Sequence, residues 1–148
     1  MLNDPKGPGP LELPIAQRDI TDIFTEQKFI EHTLNQHEPI GFTPLTSRIM
    51  EVHDHVLPQA KRLRQNGEKC LLVLLTGGVP TDEKGCASEK ARDDFVTAIE
   101  KLGELPVCFV LRLCTEDKEV VAFYQRLDAK FDFSLEVLDD HLAEAQEV

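Results

Sequence analysis

KCLLVLLTGGVPTDEKG, residues 69–85, reads as a buried strand running into a polar, glycine-rich loop. Cys70 to Leu75 is continuously apolar rather than alternating, the pattern of a central parallel strand covered on both faces. Thr76, Gly77, Gly78, Pro80, Thr81 and Asp82 follow at its carboxyl end. In open α/β sheets ligands bind in the crevice beyond the carboxyl ends of the strands, so this loop is where a site is expected.

Outward from that stretch, elements alternate. Upstream, Asp19 to Asn35 has helical spacing, with Ile23, Gln27, Ile30 and Leu34 on one face and Phe24 and Phe29 beside it. Gly41-Phe42-Thr43-Pro44-Leu45 opens a longer helix, with Thr43 as N-cap and Pro44 at the first helical position. Its stripe is Leu45, Ile49, Val52, Val56, Ala60 and Leu63; Pro58 is placed to kink or divide it, and Asn66-Gly67 to stop it. Downstream come a helix over 88–102, a buried strand over 106–113, a helix capped by Thr115 and a strand over 133–138. Asp139-Asp140 starts a final helix. Arg112 is expected to point out of the core at the edge of the site, within reach of Glu116 or Asp82.

Such alternation predicts an α/β fold, a doubly wound, mostly parallel sheet with helices on both faces in three Rossmann-type layers. Three strands are few for such a sheet, so its first strands are expected to be missing or weakly formed. Residues 1–18, rich in proline and glycine, read as a loop or linker. Residues 19–148 read as the folded, partial domain.

Composition narrows the function. The chain has 148 residues, 41% of them hydrophobic, 29% charged, and a formal net charge of −11. An acidic globular chain is not suited to nucleic acid or to anionic membranes, which need a basic face. No apolar run nears the ~18 residues of a membrane span, and no signal-peptide-like segment is present. The four cysteines, Cys70, Cys86, Cys108 and Cys114, form no metal-like spacing, and free thiols suit a reducing, intracellular, cytoplasmic setting.

Two segments resemble the von Willebrand factor A (VWA) domain family. Gly41-Phe42-Thr43-Pro44-Leu45 is similar to that family's G-x-TPL loop, and Leu74 to Asp82, LLTGGVPTD, to its strand followed by TDG-x-P-T-D. The similarity spans roughly Phe29 to Leu138. It implies a non-enzymatic protein-binding module with a metal-ion-dependent adhesion site, in which side-chain oxygens hold a hard cation such as Mg²⁺. Carried over by position, Thr43 stands at the threonine ligand, while Gly77 stands where an aspartate is expected. No Asp-x-Ser-x-Ser occurs in the sequence. The implied cation site is therefore degenerate, with Thr43 and Asp82 as its candidate ligands. The binding loop comprises Gly41, Thr43, Thr76, Gly77, Gly78 and Asp82.

Plainer roles compete at each position. Thr43 serves equally as a helix cap, Asp82 as a turn residue, and Gly77-Gly78 as a tight exit from the strand. The alternative to a binding module is a small hydrolase or transferase using the Thr76–Asp82 loop. It would need a nucleophile such as Cys114 or Thr76 beside a histidine. Another alternative is a fragment of a larger VWA-containing protein, its sheet completed by a partner chain or an N-terminal segment.

Overall fold

The computed structural model describes residues 23–36, 42, 44–82, 84–131 and 135–138. Three strands, β1 (Cys70–Thr76), β2 (Val107–Leu113) and β3 (Leu135–Leu138), form a parallel sheet in the order β1-β2-β3. Leu71 pairs with Cys108 and Leu75 with Arg112 along β1 and β2; Phe109 pairs with Leu135 along β2 and β3. Helices α1 (Ile23–Gln36), α2 (Leu45–Val56) and α3 (Ala60–Asn66) precede the sheet. Helices α4 (Glu89–Gly103) and α5 (Lys118–Asp128) are the two crossovers. The chain is of mixed α/β class.

Local chemistry accounts for most boundaries. A single 3₁₀ turn, Leu57–Gln59, divides α2 from α3 at Pro58, where the ring removes a helical hydrogen bond. Gly67 closes α3 in the left-handed region at φ 68°, a conformation without cost for glycine. Ser88 caps α4, its hydroxyl accepting from the Ala91 amide. Two caps differ from expectation. Helix α2 begins at Leu45 with Pro44 in the cap position, and Thr43 lies outside the described residues. Helix α5 is capped by Asp117 rather than Thr115. The Asp117 carboxylate accepts from the Glu119 and Val120 amides, and the Thr115 hydroxyl accepts from the Asp117 amide. A carboxylate at the N-cap gains from the helix dipole, and Thr115 comes too early in the chain to reach the first helical amides. The final helix expected after Asp139 also falls outside the described residues.

One core joins the helices to one side of the sheet. Leu74, Phe109, Leu111 and Leu113 point into it, meeting Leu45, Ile49 and Val56 of α2, Phe95, Ile99 and Leu102 of α4, and Val120, Phe123, Tyr124 and Leu127 of α5. The opposite side is different. Leu71, Val73 and Leu75 are 64%, 45% and 55% exposed, and their β2 neighbours Cys108, Val110 and Arg112 are only half-buried. The expectation that β1 is covered on both faces is thus not met among the described residues. The physical reason is the strand order. When consecutive parallel strands step in one direction with right-handed crossovers, both crossover helices fall on the same face. A doubly wound sheet needs a reversal of direction, and β1-β2-β3 contains none.

Candidate functional site

The loop after β1 is tied down from several sides. The Thr76 side chain is buried; its hydroxyl donates to the Gly78 carbonyl at 3.2 Å and accepts from the Gly78 amide at 3.3 Å. Tyr124, completely buried on α5, donates its phenol to the same Gly78 carbonyl at 3.0 Å. Burial pushes the Tyr124 phenol well above the usual tyrosine range, because the charged form would lose its hydration. Pro80 is fully buried beyond it. This loop is held by its own side chains and by the core.

Asp82 organises the next turn. Its carboxylate oxygen Oδ1 accepts from the backbone amides of Lys84 and Cys86 at 2.9 and 2.8 Å. The Asp82 carbonyl accepts from Gly85, and its amide donates to the Cys86 carbonyl. This is the turn role that aspartate fills by capping backbone donors two residues on. Gly85 sits at φ 81°, and the ring of Phe42 lies so close over it that a Cβ at position 85 would overlap ring carbons. The segment before α2 is thereby packed against the loop after β1. Two segments more than forty residues apart in sequence become one surface, with the Phe42 ring half exposed upon it.

The second strand's exit adjoins the first. The Cys114 amide donates to the Thr76 carbonyl at 2.8 Å, and Cys114 is exposed. A Cβ at Gly77 would meet the Cys114 carbonyl at 3.5 Å, an ordinary contact, and Gly77 does not occupy the left-handed region. Position 77 therefore accepts a Cβ without strain. The described histidines lie on helices, and two of them bond locally: His53 Nδ1 pairs with Asp54, and His55 Nδ1 with the Glu51 carbonyl. Among the described residues, no hydrogen bond joins Cys114 or Thr76 to a histidine, and no three His, Cys, Asp or Glu side chains cluster as a metal site. Gly41 and Thr43, two of the expected binding residues, lie outside the described residues. Arg112 is half-buried in β2, on the sheet face opposite the core that the described helices form.

Sequence reasoning missed Tyr124 and Gly85. Tyr124 lies on the inner face of α5, and its phenol is what fixes the Gly78 carbonyl. A signal existed for Gly85, since Asp-x-x-Gly after a strand is turn chemistry, but its aromatic partner was not readable from spacing.

A separate groove between α4 and α5 is lined by Arg92, Asp93, Phe123 and Arg126 among others, and none of the loop residues lines it. The Arg92 guanidinium lies over the Phe123 ring at 5.6 Å, a cation–π contact that closes the helix pair. No helix among the described residues is long and apolar enough to cross a membrane.

Comparison with known protein families, with curated proteins and with solved structures finds no match.

Proposed function

We propose that the chain is a non-enzymatic, VWA-like binding module that takes a protein partner on the loops at the carboxyl end of its sheet. The observation that carries this reading is the packing of Phe42 on Gly85. It brings Phe42, from the first segment that carries the resemblance, against Gly85, three residues beyond the second, in the loop after β1 where α/β sheets bind ligands. The loop is rigid rather than poised for chemistry. Thr76 and Tyr124 are occupied in holding Gly78, and Asp82 in holding its own turn. A rigid scaffold presenting an exposed aromatic ring suits recognition, where aromatic side chains act as anchors. The doubly wound architecture of the VWA family remains part of the same proposal. So does a degenerate cation site, to which Asp82 Oδ2 and the hydroxyl of Thr43 would contribute.

The test uses a displayed library of random peptides selected on the immobilised chain. Enriched peptides that lose at least about tenfold in affinity with Phe42→Ala, about 1.4 kcal/mol, support the reading. A library that yields no enriched sequence, or peptides indifferent to Phe42→Ala, would sink it.

A further inference from the structure

The groove between α4 and α5 combines an apolar floor with rims of opposite charge. Its volume is about 360 Å³, within the roughly 300–1,000 Å³ of sites that take small molecules. Phe123 and Leu127, buried on α5, and Val96, half-buried on α4, form the floor. Two contacts cross from helix to helix and set its width. The Arg92 guanidinium lies over the Phe123 ring at 5.6 Å, and further along the pair Lys130 meets Glu100 at 3.3 Å.

The α4 rim carries the carboxylates of Glu89 and Asp93, four residues apart and so on one side of the helix. The α5 rim carries the Arg126 guanidinium, three residues beyond Phe123. Lys130 already has Glu100 as its partner. Among the described residues, Glu89, Asp93 and Arg126 enter no ion pair, so opposite charges stand on the two helices without meeting. With Arg92, the lining holds two guanidiniums against the two carboxylates Glu89 and Asp93.

We infer that this groove binds a free α-amino acid with an apolar side chain. The ammonium lies on Glu89 and Asp93, the carboxylate on Arg126, and the side chain on Phe123 and Leu127. A guanidinium matches a carboxylate with two parallel N–H donors. A simple anion is repelled by the two carboxylates and a simple cation by the guanidiniums, whereas a zwitterion meets both rims at once. The rim groups are exposed, and exposed ion pairs add little each. Most of the affinity therefore comes from the side chain leaving water, and the dissociation constant is expected in the millimolar range. None of the loop residues after β1 lines the groove, so this site does not depend on the binding reading of those loops.

Backbone-amide NMR of the full chain, titrated with L-leucine and L-phenylalanine at mildly acidic pH, tests it. The expected result is saturable shifts confined to residues 89–96 and 123–130 by about 10 mM ligand. N-acetyl-L-leucine lacks the ammonium and L-leucinamide lacks the carboxylate, and each should bind about three- to fivefold more weakly than leucine. Arg126→Gln should erase the advantage of leucine over leucinamide and keep its advantage over N-acetyl-leucine. The double substitution Glu89→Gln with Asp93→Asn should do the reverse. A side chain that merely shaped the groove would change all three ligands alike. Absence of shifts with either amino acid, shifts at residues 76–86 in place of the groove, or equal binding of leucine and both derivatives would each overturn the assignment. Should a variant fail to fold, leucine against its two derivatives on the native chain is sufficient.

Discussion

The phenol of Tyr124 donates to the carbonyl of Gly78 at 3.0 Å, joining the inner face of α5 to the loop after β1. The two residues lie 46 positions apart. The bond places the loop relative to the core, and it does so from a completely buried side chain. Tyr124→Phe should cost about 0.5–1.5 kcal/mol, since the Thr76 hydroxyl remains to satisfy the carbonyl. Denaturant unfolding of the two proteins measures it. A larger loss would show that Thr76 does not compensate.

Tyr124 also predicts an alkaline limit to stability. Its folded-state pKa is raised by burial, so the folded protein holds this proton more tightly than the unfolded chain. The contribution is full below the ordinary tyrosine pKa of about 10 and is lost as pH rises beyond it. Because the chain has a single tyrosine, phenolate absorbance reports this group alone. Ionisation should coincide with unfolding, and Tyr124→Phe should flatten the fall of the thermal midpoint above pH ~10. Phenolate appearing in the folded protein near the ordinary value would contradict it.

Gly85 and Phe42 should be energetically coupled. Gly85→Ala must strain a left-handed residue, about 1 kcal/mol, and displace the Phe42 ring as well, for a total of roughly 1–3 kcal/mol. In a Phe42→Ala background only the backbone part should remain. A double-mutant cycle checks this, and simple additivity would mean that the ring swings aside freely.

Asp82→Ala should destabilise by about 1 kcal/mol, because two amides lose their shared acceptor. A cation bound by Asp82 and Thr43 would raise the thermal midpoint with added Mg²⁺, by an amount that Thr43→Ala abolishes. Gly77→Asp extends the test. A Cβ at position 77 makes only an ordinary contact and the backbone there is not left-handed, so the substitution should fold. If the loops carry a VWA-like ligand frame, it should create or strengthen Mg²⁺-dependent stabilisation. A Gly77→Asp protein as indifferent to Mg²⁺ as the parent would leave the resemblance without its metal chemistry.

The two faces of β1 should respond unequally. Leu74→Ala empties a core position and should cost about 2–5 kcal/mol. Leu71→Ala and Val73→Ala, on the exposed side, should cost under about 1 kcal/mol. Equal costs would mean that the open face is covered in solution.

Much of the architecture was legible from spacing. The stripe Ala91, Phe95, Ala98, Ile99 and Leu102 reads as one helix face because 3.6-residue periodicity needs no partner to be seen, and all five are buried on α4. Gly67 as a helix stop, Pro58 as a break and the strand expected over 106–113 and observed over Val107–Leu113 were readable for the same reason: each rests on backbone chemistry internal to a few residues. Asp82 as a turn residue belongs with them. The caps were less legible, since Thr115 and Asp117 can both accept an amide and only the start of the helix decides between them.

What sequence could not determine is which face of β1 the helices cover. CLLVLL is apolar at every position, so its pattern carries no face preference, and continuous apolarity is the pattern expected of burial on both sides. Among the described residues strand order decides the matter, because successive right-handed crossovers in one direction put α4 and α5 on the same face. The same holds for the candidate site. The sequence by itself marked the two loops by their glycines, prolines and aspartate. Only the fold set Phe42 upon Gly85 and Tyr124 beneath Gly78, because contacts between residues more than forty apart depend on how the helices pack, not on any local periodicity.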